Sequence, residues 1–313
     1  MLFNASNDPQ SDSMTPRITS LKPPVTRFAP SPTGLLHLGH AYAALVAHDT
    51  ARQHGGRFIL RLEDIDKGRC RQEFETHILD DLTWLGLKWE EPVHRQSDHM
   101  ASYHARLDTL RRKELIYPCF CTRKEIVQEV KRMGSAPHGP DGPLYPGTCR
   151  TLSDSACQKM IASGAVPAWR LNIGKALHAI DHKTLTFHEQ GKGPTSESGV
   201  ITANASLFGD IILGRKDTGV SYHLAVTLDD HKEGITLVTR GEDLFAATHV
   251  QRLLQELLQL EIPLYAHHKL IYGADGRRLA KRDKDMTLKE LKKSGSTPDD
   301  IREMLGLTNP AAR

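Results

Sequence analysis

Residues 27–40 read R-F-A-P-S-P-T-G-L-L-H-L-G-H, and this stretch has the most informative pattern in the sequence. The run before it, residues 25–29, is typical of the end of a strand. Two prolines and a glycine then exclude a helix. His37 and His40 lead into residues 41–48, A-Y-A-A-L-V-A-H, which are rich in helix-forming residues. The pattern therefore predicts a strand, a tight loop and a helix. In that arrangement the backbone N–H groups of a helix N-terminus face an anion.

The two histidines stand three residues apart at the predicted helix start, so their side chains share one face near the positive end of the helix dipole. Gly39 between them leaves room for a planar group against the backbone. A nucleotide fits such a site, with its base over the glycine and its phosphates on the helix end and the imidazoles. The alternative is a plain turn followed by two surface histidines. The run R-x-A-P-S-P-T-G in front of them argues against it.

The same residues resemble the first signature of class I aminoacyl-tRNA synthetases. The glutamyl/glutaminyl branch of that family carries R-x-A-P-S-P-T-G-x-L-H-x-G-H. The resemblance implies an α/β fold, a Rossmann-like parallel sheet with an inserted zinc-binding α+β subdomain and a short helical C-terminal segment. It implies catalytic roles for His37, His40 and Lys281. It also implies ATP binding by five residues: Pro30, His37, Gly39, His40 and Lys281.

The composition is that of an ordinary globular protein, with 313 residues of which 39% are hydrophobic and 25% charged. The formal net charge of +3 indicates no global polycation, so a nucleic-acid partner requires a local basic face. Five cysteines, an odd number, without a signal peptide predict the reducing cytoplasm. No apolar run approaches the roughly 18 residues that span a bilayer, so we expect no membrane partner. We expect a monomer.

Strand and helix patterns alternate after the first signature, with a strand at 57–62 and helices at 74–85 and 103–113, which predicts βαβ units and a parallel sheet. The carboxylates of residues 62–66, L-E-D-I-D, follow the strand directly, at the edge where open α/β sheets bind ligands. They are either surface acids or part of the site. The resemblance implies that Glu63 binds the α-ammonium of the substrate. Without such a partner, a carboxylate there would carry a desolvation cost.

A C-x-C pair and a third cysteine 28 positions further on have spacing typical of zinc ligands: Cys119, Cys121 and Cys149. A tetrahedral site needs a fourth ligand. Ligand chemistry alone favours Cys157 or His138, because a phenol with a pKa near 10 is a poor ligand. Short members of the branch, which attach glutamate to queuosine in tRNA(Asp), carry C-x-C…Y-x-x-x-C here, and this resemblance implies Tyr145 instead. Free cytosolic thiols are the remaining alternative.

Two further motifs, G-V-S-Y-H-L-A-V-x-x-D-D and V-x-R-G-E-D-L, match the glutamyl branch and place Tyr222 and Arg240 in the amino-acid pocket. Without the resemblance they are a core-edge tyrosine and a strand-end arginine. Arg27 and Arg240 are then expected to donate bidentate hydrogen bonds to the two carboxylates of glutamate, which lysine does poorly. The implied glutamate-binding residues are Arg27, Ala29, Ser31, Glu63, Tyr222 and Arg240.

Residues 278–282 read R-L-A-K-R, which taken alone is a solvated basic loop. About 240 residues after the first signature, they resemble the second class I signature, KMSKS. Lys281 takes the position of the second lysine, which implies binding of the ATP triphosphate with Mg²⁺. The first lysine and both serines are replaced, so the resemblance leaves the dynamics of the loop and the reaction rate open.

We predict five segments: a disordered lead at 1–23, a first catalytic half at 24–118, the zinc-binding insertion at 119–194, a second catalytic half at 195–262, and the KMSKS-like loop with a C-terminal helical segment at 263–313. The resemblance covers residues 24–308. We expect that 313 residues leave no room for the anticodon-binding domain of a longer glutamyl-tRNA synthetase.

The resemblance implies a ligase that activates L-glutamate with ATP to glutamyl-adenylate without tRNA. Glutamate then passes to the queuosine in the anticodon of tRNA(Asp). One alternative is a truncated glutamyl-tRNA synthetase that charges tRNA(Glu). Another is a non-catalytic tRNA-binding paralogue, for which the altered R-L-A-K-R stretch is the only support.

Overall fold

The computed structural model describes residues 22–132, 138–140, 142–271 and 287–307. The strands within these residues are Val25–Phe28 (β1), Arg57–Leu62 (β2), Glu90–Arg95 (β3), Ile116–Cys119 (β4), His138–Gly139 (β5), Gly142–Pro143 (β6), Ala168–Leu171 (β7), Thr186–Glu189 (β8), Gly199–Thr202 (β9), Ile212–Gly214 (β10), Leu237–Gly241 (β11) and Leu264–His268 (β12). The helices are Leu38–Gln53 (α1), Gln72–Trp84 (α2), Met100–Arg112 (α3), Arg123–Arg132 (α4), Asp154–Ala162 (α5), Ile173–His178 (α6), Tyr222–Lys232 (α7), Phe245–Leu258 (α8), Leu288–Lys293 (α9) and Pro298–Met304 (α10). The predicted disordered lead at 1–23 lies, except for its last two residues, outside the described part.

The predicted parallel sheet is confirmed. β1 pairs in parallel with β2 and β2 with β3, while β11 pairs in parallel with β12. The two groups meet where the Thr236 N–H donates to the Val25 carbonyl at 3.0 Å, so β1 and β11 are neighbours at the centre. The carboxyl ends of β1, β2 and β11 therefore lie at one edge of the sheet, where open α/β folds bind their ligands.

Helix α1 packs tightly on this sheet because small residues face it. Ala41, Ala44 and Ala47 are fully buried beside Leu45, so the helix backbone lies close to β1 and β2. Every residue of β1 is buried, as expected for a strand covered on both faces. The predicted strand, loop and helix around the first signature are thus present as predicted.

The small unit around the cysteines differs from the prediction in its strands, since β4 and β10 lie almost wholly outside the predicted bounds of 119–194. β4, β7 and β10 form an antiparallel sheet, and β5 pairs with β6. The predicted insertion at 119–194 also contains β8, but β8 instead pairs with β12 and β9 in the catalytic sheet. The physical reason is the burial of Phe187 among core residues of the central strands: Val25, Ile59, Val238 and Tyr265.

The C-terminal helices α9 and α10 pack on the first signature helix. Leu288 and Ile301 are fully buried in the same hydrophobic cluster as α1 and α2. Two hydrogen bonds from Arg302 to the Asp49 carboxylate, at 2.7 and 3.0 Å, join α10 to α1 inside the protein. The Thr287 backbone forms an isolated bridge with His37, and the Leu288 N–H donates to the Leu36 carbonyl at 2.9 Å. The C-terminal segment is thereby fixed beside the histidine motif.

In the described ranges, no helix combines the length and the apolar character that crossing a membrane requires.

Candidate active site

The N-terminus of α1 holds the two predicted histidines against each other. His37 is the N-cap residue, and its Nδ1 accepts from the Gly39 N–H at 3.1 Å. The His37 N–H in turn donates to Nδ1 of His40 at 3.2 Å, and the two ring centres lie 3.8 Å apart. Since each Nδ1 accepts a hydrogen bond, each neutral ring carries its proton on Nε2. Both rings are therefore fixed as Nε2–H donors at the positive end of a helix.

Gly39 lies in close contact with the ring that forms this cap. A Cβ at that position would lie 3.0 Å from the His37 ring, which folds back over the first turn. A larger residue would therefore require the imidazole to shift by a few tenths of an ångström. The predicted role of Gly39 in making room is thus seen here for the neighbouring histidine, while its contact with a nucleotide base remains a prediction.

The loop of the first signature lies against the segment that follows β2. The Glu63 N–H donates to the Pro30 carbonyl at 3.0 Å, and the Arg71 N–H donates to the Pro32 carbonyl at 3.0 Å. Ser31 is half-buried in the same loop, and Ala29 immediately precedes Pro30. The predicted residues of the first signature and Glu63 are therefore brought together, as the resemblance implies.

The Arg27 guanidinium already has protein partners. Its Nε and Nη2 donate to the Asp230 carboxylate at 3.0 and 3.4 Å, and its Nη1 donates to the Thr239 carbonyl at 3.0 Å. Within the described ranges, three of the five N–H groups of the guanidinium are thus engaged, which leaves two for a substrate. The expected bidentate fork of Arg27 toward a substrate carboxylate can come only from this remaining pair.

Asp230 is a residue that the sequence reasoning did not assign to the site. Its carboxylate also accepts from Arg61 Nη2 at 2.5 Å, and Arg61 continues to Glu233 through Nε at 2.9 Å. Burial alone would raise the pKa of Asp230, but Arg27 and Arg61 outweigh it, so the pKa lies below its usual value. The acidic pair at the end of the G-V-S-Y-H-L-A-V-x-x-D-D motif was the available signal.

The Glu63 carboxyl has the opposite environment. It makes no hydrogen bond within the described part of the chain. Burial raises its pKa to about 7. The charges of Arg61 and Arg27 oppose that shift, and those of Asp229 and Asp230 add to it. A carboxyl with a pKa near neutrality is set to ionise when a cation arrives next to it. This environment is compatible with the predicted contact to a substrate ammonium.

Arg240 lies near the carboxyl end of β11 and has one donor atom without a partner. Its Nε donates to His267 Nε2 at 3.1 Å and its Nη2 to Thr248 Oγ1 at 2.7 Å. Nη1 is buried and has no hydrogen-bond partner among the described residues. An unsatisfied buried N–H costs about 1–3 kcal/mol, so this atom is suited to an incoming acceptor.

Tyr222, the first residue of α7, lies in the same electrostatic environment. Burial raises the pKa of its hydroxyl, which Arg240 and Arg27 lower and Glu63 raises. Its side chain is still partly accessible, with 36% of the residue exposed. The predicted glutamate-binding residues are thus grouped at one edge of the sheet. Lys281 and the R-L-A-K-R stretch at 278–282 lie outside the described residues.

Three cysteines and a tyrosine converge in the small unit. The sulfur atoms of Cys119, Cys121 and Cys149 lie within 4.8 Å of one another. The Tyr145 hydroxyl lies 3.3 Å from the Cys119 sulfur and 3.5 Å from the Cys121 sulfur. Ligand atoms of a tetrahedral zinc with bonds of 2.0–2.3 Å are separated by about 3.5–3.8 Å. The four groups therefore fit one zinc ion.

The alternative fourth ligands do not reach this cluster. Of the described His, Cys, Asp and Glu residues, only these three cysteines belong to the cluster. Cys157 is buried in α5, and His138 is exposed in the two-residue strand β5. Tyr145 is held in place because its hydroxyl accepts the Cys149 N–H at 2.9 Å and the Arg170 guanidinium stacks 3.8 Å above its ring.

The chain matches the family described as tRNA synthetases class I (E and Q), catalytic domain, over residues 24–309. It is 45% identical over 285 residues to a protein of Rhodobacter capsulatus named glutamyl-Q tRNA(Asp) synthetase, covering 90% of this chain and 100% of that one. A protein of the same name from Nocardia farcinica is 40% identical over 279 residues, covering 89% of this chain and 82% of that one.

Solved structures give the same relationship. A glutamate tRNA ligase from Elizabethkingia meningosepticum, in complex with its amino acid, superimposes with a TM-score of 0.68 at 28% identity. The match covers 84% of this chain and 53% of that structure, so the chain spans about half the length of the solved relative.

Proposed function

The chain belongs to the class I tRNA synthetases of the glutamate and glutamine type and is a ligase, and from this premise we propose that it activates L-glutamate with ATP and transfers the glutamyl group to queuosine in the anticodon of tRNA(Asp). The observation that carries the proposal is the grouping of Glu63, Arg27 and Arg240 at the carboxyl ends of three parallel strands, beside the histidine-capped N-terminus of α1. We expect a monomer that acts in the cytoplasm.

In the first step the α-carboxylate oxygen of glutamate attacks the α-phosphorus of ATP. The new P–O bond forms as the bond to the bridging oxygen breaks, which yields glutamyl-adenylate and pyrophosphate. Such phosphoryl chemistry is catalysed by positioning and charge stabilisation. The Nε2–H groups of His37 and His40 and the N-terminus of α1 stabilise the charge that develops on the α-phosphate oxygens.

The remaining ATP contacts follow the signatures. Pro30 and Gly39 border the nucleotide. Lys281 binds the departing pyrophosphate, and Mg²⁺ that accompanies ATP neutralises phosphate charge when it is bound. The bridge between Thr287 and His37 is compatible with this assignment because Thr287 follows the second signature closely in the sequence.

Recognition of glutamate divides between one acid and two arginines. Glu63 pairs with the α-ammonium, and Arg240 offers its unpartnered Nη1 to a substrate carboxylate. Arg27 contributes the two N–H groups that do not donate to Asp230 or Thr239. Ala29, Ser31 and Tyr222 complete the pocket. Glutamine is disfavoured because its neutral amide leaves buried guanidinium charge unpaired.

In the second step a hydroxyl of the cyclopentenediol of queuosine attacks the carbonyl carbon of glutamyl-adenylate. An ester bond forms and AMP leaves. The names of relatives that match almost the whole chain support this acceptor. The competing acceptor is the 3′ end of tRNA(Glu), as in a glutamyl-tRNA synthetase.

We further propose one structural zinc ion held by four residues: Cys119, Cys121, Tyr145 and Cys149. Within the unit that would hold it, the Asp210 carboxylate links two segments close to the cysteines. That carboxylate accepts from Tyr117 Oη at 2.5 Å and from Arg150 Nε at 2.7 Å. Lys216 also donates to the carbonyl of Phe120 at 2.7 Å, between the two cysteines of the C-x-C pair. Zinc would stabilise this unit without taking part in the reaction.

The test uses tRNA(Asp) from queuosine-producing and queuosine-deficient cells, incubated with enzyme, ATP and labelled glutamate. We expect label only in the queuosine-containing tRNA. Equal labelling of both preparations, or labelling of tRNA(Glu), would establish the competing acceptor. ATP–pyrophosphate exchange with glutamate alone examines the first step. Exchange that begins only when tRNA is added would contradict tRNA independence, and no exchange under either condition would indicate a non-catalytic protein.

A further inference from the structure

Arg240 is the first of three buried side chains that lie in a row on neighbouring strands. Arg240 of β11 pairs in register with His267 of β12, and β12 is adjacent to β8, which ends at Glu189. The side chains of His267 and Glu189 are both 0% exposed. Neither residue was singled out by the sequence patterns, and neither is part of the substrate contacts proposed above.

The hydrogen bonds of Glu189 fix which nitrogen of His267 carries a proton. Oε1 of Glu189 accepts two backbone N–H groups, those of Gly191 and His267, each at 2.8 Å. Oε2 lies 2.6 Å from Nδ1 of His267. A carboxylate only accepts hydrogen bonds, so Nδ1 must donate.

The second nitrogen of the ring then faces Arg240 as an acceptor. Burial lowers the pKa of His267 to about 4, against the opposing effect of Glu189, so the ring is neutral near pH 7. In the Nδ1–H tautomer, Nε2 has a lone pair, which accepts the Arg240 Nε–H at 3.1 Å. The other tautomer would place two N–H groups against each other and lose this bond.

The surroundings hold this arrangement in place. A Cβ at Gly191 would lie 2.3 Å from the His267 carbonyl, so only glycine lets the chain come close enough to donate to Glu189. The Phe245 ring packs edge-on against the imidazole with ring centres 5.2 Å apart. Thr248 Oγ1 accepts from Nη2 of Arg240 on the far side, at 2.7 Å. Nε and Nη2 are therefore both anchored, and Nη1 is the donor that remains.

We infer that Glu189 and His267 are positioning residues, which orient the Arg240 guanidinium toward a substrate carboxylate by holding His267 in its Nδ1–H tautomer. The inference rests on the proposed function only in naming glutamate as the source of that carboxylate. In this arrangement Nε of Arg240 donates to a neutral acceptor, the imidazole of His267. A neutral partner orients the guanidinium but leaves its charge available to the substrate.

Glu189→Gln is the decisive variant because it preserves shape and reverses the hydrogen bond. The two backbone N–H groups at Oε1 require the amide oxygen there, so the amide NH₂ must face Nδ1 and donate to it. His267 is then forced into the Nε2–H tautomer, and Arg240 loses its acceptor. We expect the KM for glutamate in pyrophosphate exchange to rise roughly 10- to 100-fold, as for loss of a hydrogen bond to a charged group, with kcat and the KM for ATP nearly unchanged.

Two substitutions of His267 form a matched pair. His267→Gln places an amide at the position of Nε2 and can still accept from Arg240, whereas His267→Asn reaches only the position of Nδ1 and keeps the bond to Glu189. We expect His267→Gln to stay within about threefold of the wild-type KM for glutamate and His267→Asn to match Glu189→Gln. Equal KM values for the pair, or a wild-type KM in Glu189→Gln, would overturn the inference. Thermal unfolding of all three variants identifies a general loss of folding.

A readout without substrate separates this inference from the proposed function. ¹⁵N spectra of imidazole-labelled protein, with the His267 signal identified by its absence in His267→Gln, should show the Nδ1–H tautomer in the wild type and Nε2–H in Glu189→Gln. An Nε2–H tautomer or an imidazolium in the wild type at neutral pH would refute the positioning role, even if glutamate is activated. The expected tautomers in a protein that does not activate glutamate would refute only the proposed function.

Discussion

The raised pKa of Glu63 predicts how tightly glutamate binds at each pH. We expect the substrate ammonium to bind only the ionised carboxylate. With a pKa of about 7, roughly one molecule in eleven is ionised at pH 6, half at pH 7 and ten in eleven at pH 8. The apparent dissociation constant is the intrinsic one divided by that fraction, so it should fall about tenfold between pH 6 and pH 8. At pH 7 about half a proton should leave the complex per glutamate bound.

Calorimetric titration of glutamate without ATP measures both quantities, in two buffers of different ionisation enthalpy. The carboxylates of glutamate titrate below this window and its ammonium above it. Glu63→Gln should bind glutamate weakly and with a constant affinity across the range. Glu90→Gln is the matched control, because Glu90 is exposed and pairs with Arg57, and it should keep the tenfold change. A flat affinity in the wild type, or a tenfold change in Glu63→Gln, would refute the reasoning.

Arg302→Ala should lower the free energy of unfolding by about 3–5 kcal/mol in urea titrations, since it leaves Asp49 buried without its guanidinium. Burial would raise the pKa of Asp49, but His48 and Arg302 lower it in the folded protein. The loss of unfolding free energy in Arg302→Ala should therefore be largest above the unfolded pKa of Asp49, near 3.8, and should shrink as the pH falls through its lower pKa in the folded protein. Cys149→Ala should reduce zinc by elemental analysis from about one ion per chain to a trace, whereas Cys157→Ala should retain it; loss of zinc in Cys157→Ala but not in Tyr145→Phe would show that the phenol is not the fourth ligand. His40→Ala should slow pyrophosphate exchange by roughly 10²-fold or more, and wild-type exchange would exclude its phosphate role.

The local parts of the site could be predicted from sequence because local rules govern them. Proline and glycine mark the loop after β1, alanines mark α1, and two histidines three residues apart meet at its first turn. The contact between Arg27 and Asp230 could not be predicted in this way, because 203 residues separate them and only the sheet brings them together. An arginine expected to hold substrate is therefore partly occupied by the protein itself.

The sequence also could not predict which strands pair or which side chains come together as metal ligands. The pattern at 186–189 indicates a strand but not its neighbours, and burial of Phe187 assigns β8 to the catalytic sheet instead of the insertion. Ligand chemistry alone favours Cys157 or His138 as the fourth ligand. The turn that brings Tyr145 and Cys149 together places the phenol, not that thiol, beside the sulfur atoms. Arg240 was recognised, yet its supporting pair on β8 and β12 was not, because each lies in a different part of the chain.

The pairing of Thr287 with His37 makes the length of the segment between Lys281 and Thr287 important. Five residues lie between Lys281 and Thr287, so the chain that joins these two residues can span at most about 21 Å when fully extended. We expect a tether this short to raise the effective concentration of the Lys281 ammonium at a bound triphosphate. The number of residues between Lys281 and Thr287 is therefore expected to matter for ATP binding. Inserting several residues there should weaken ATP binding even when every contacting side chain is kept.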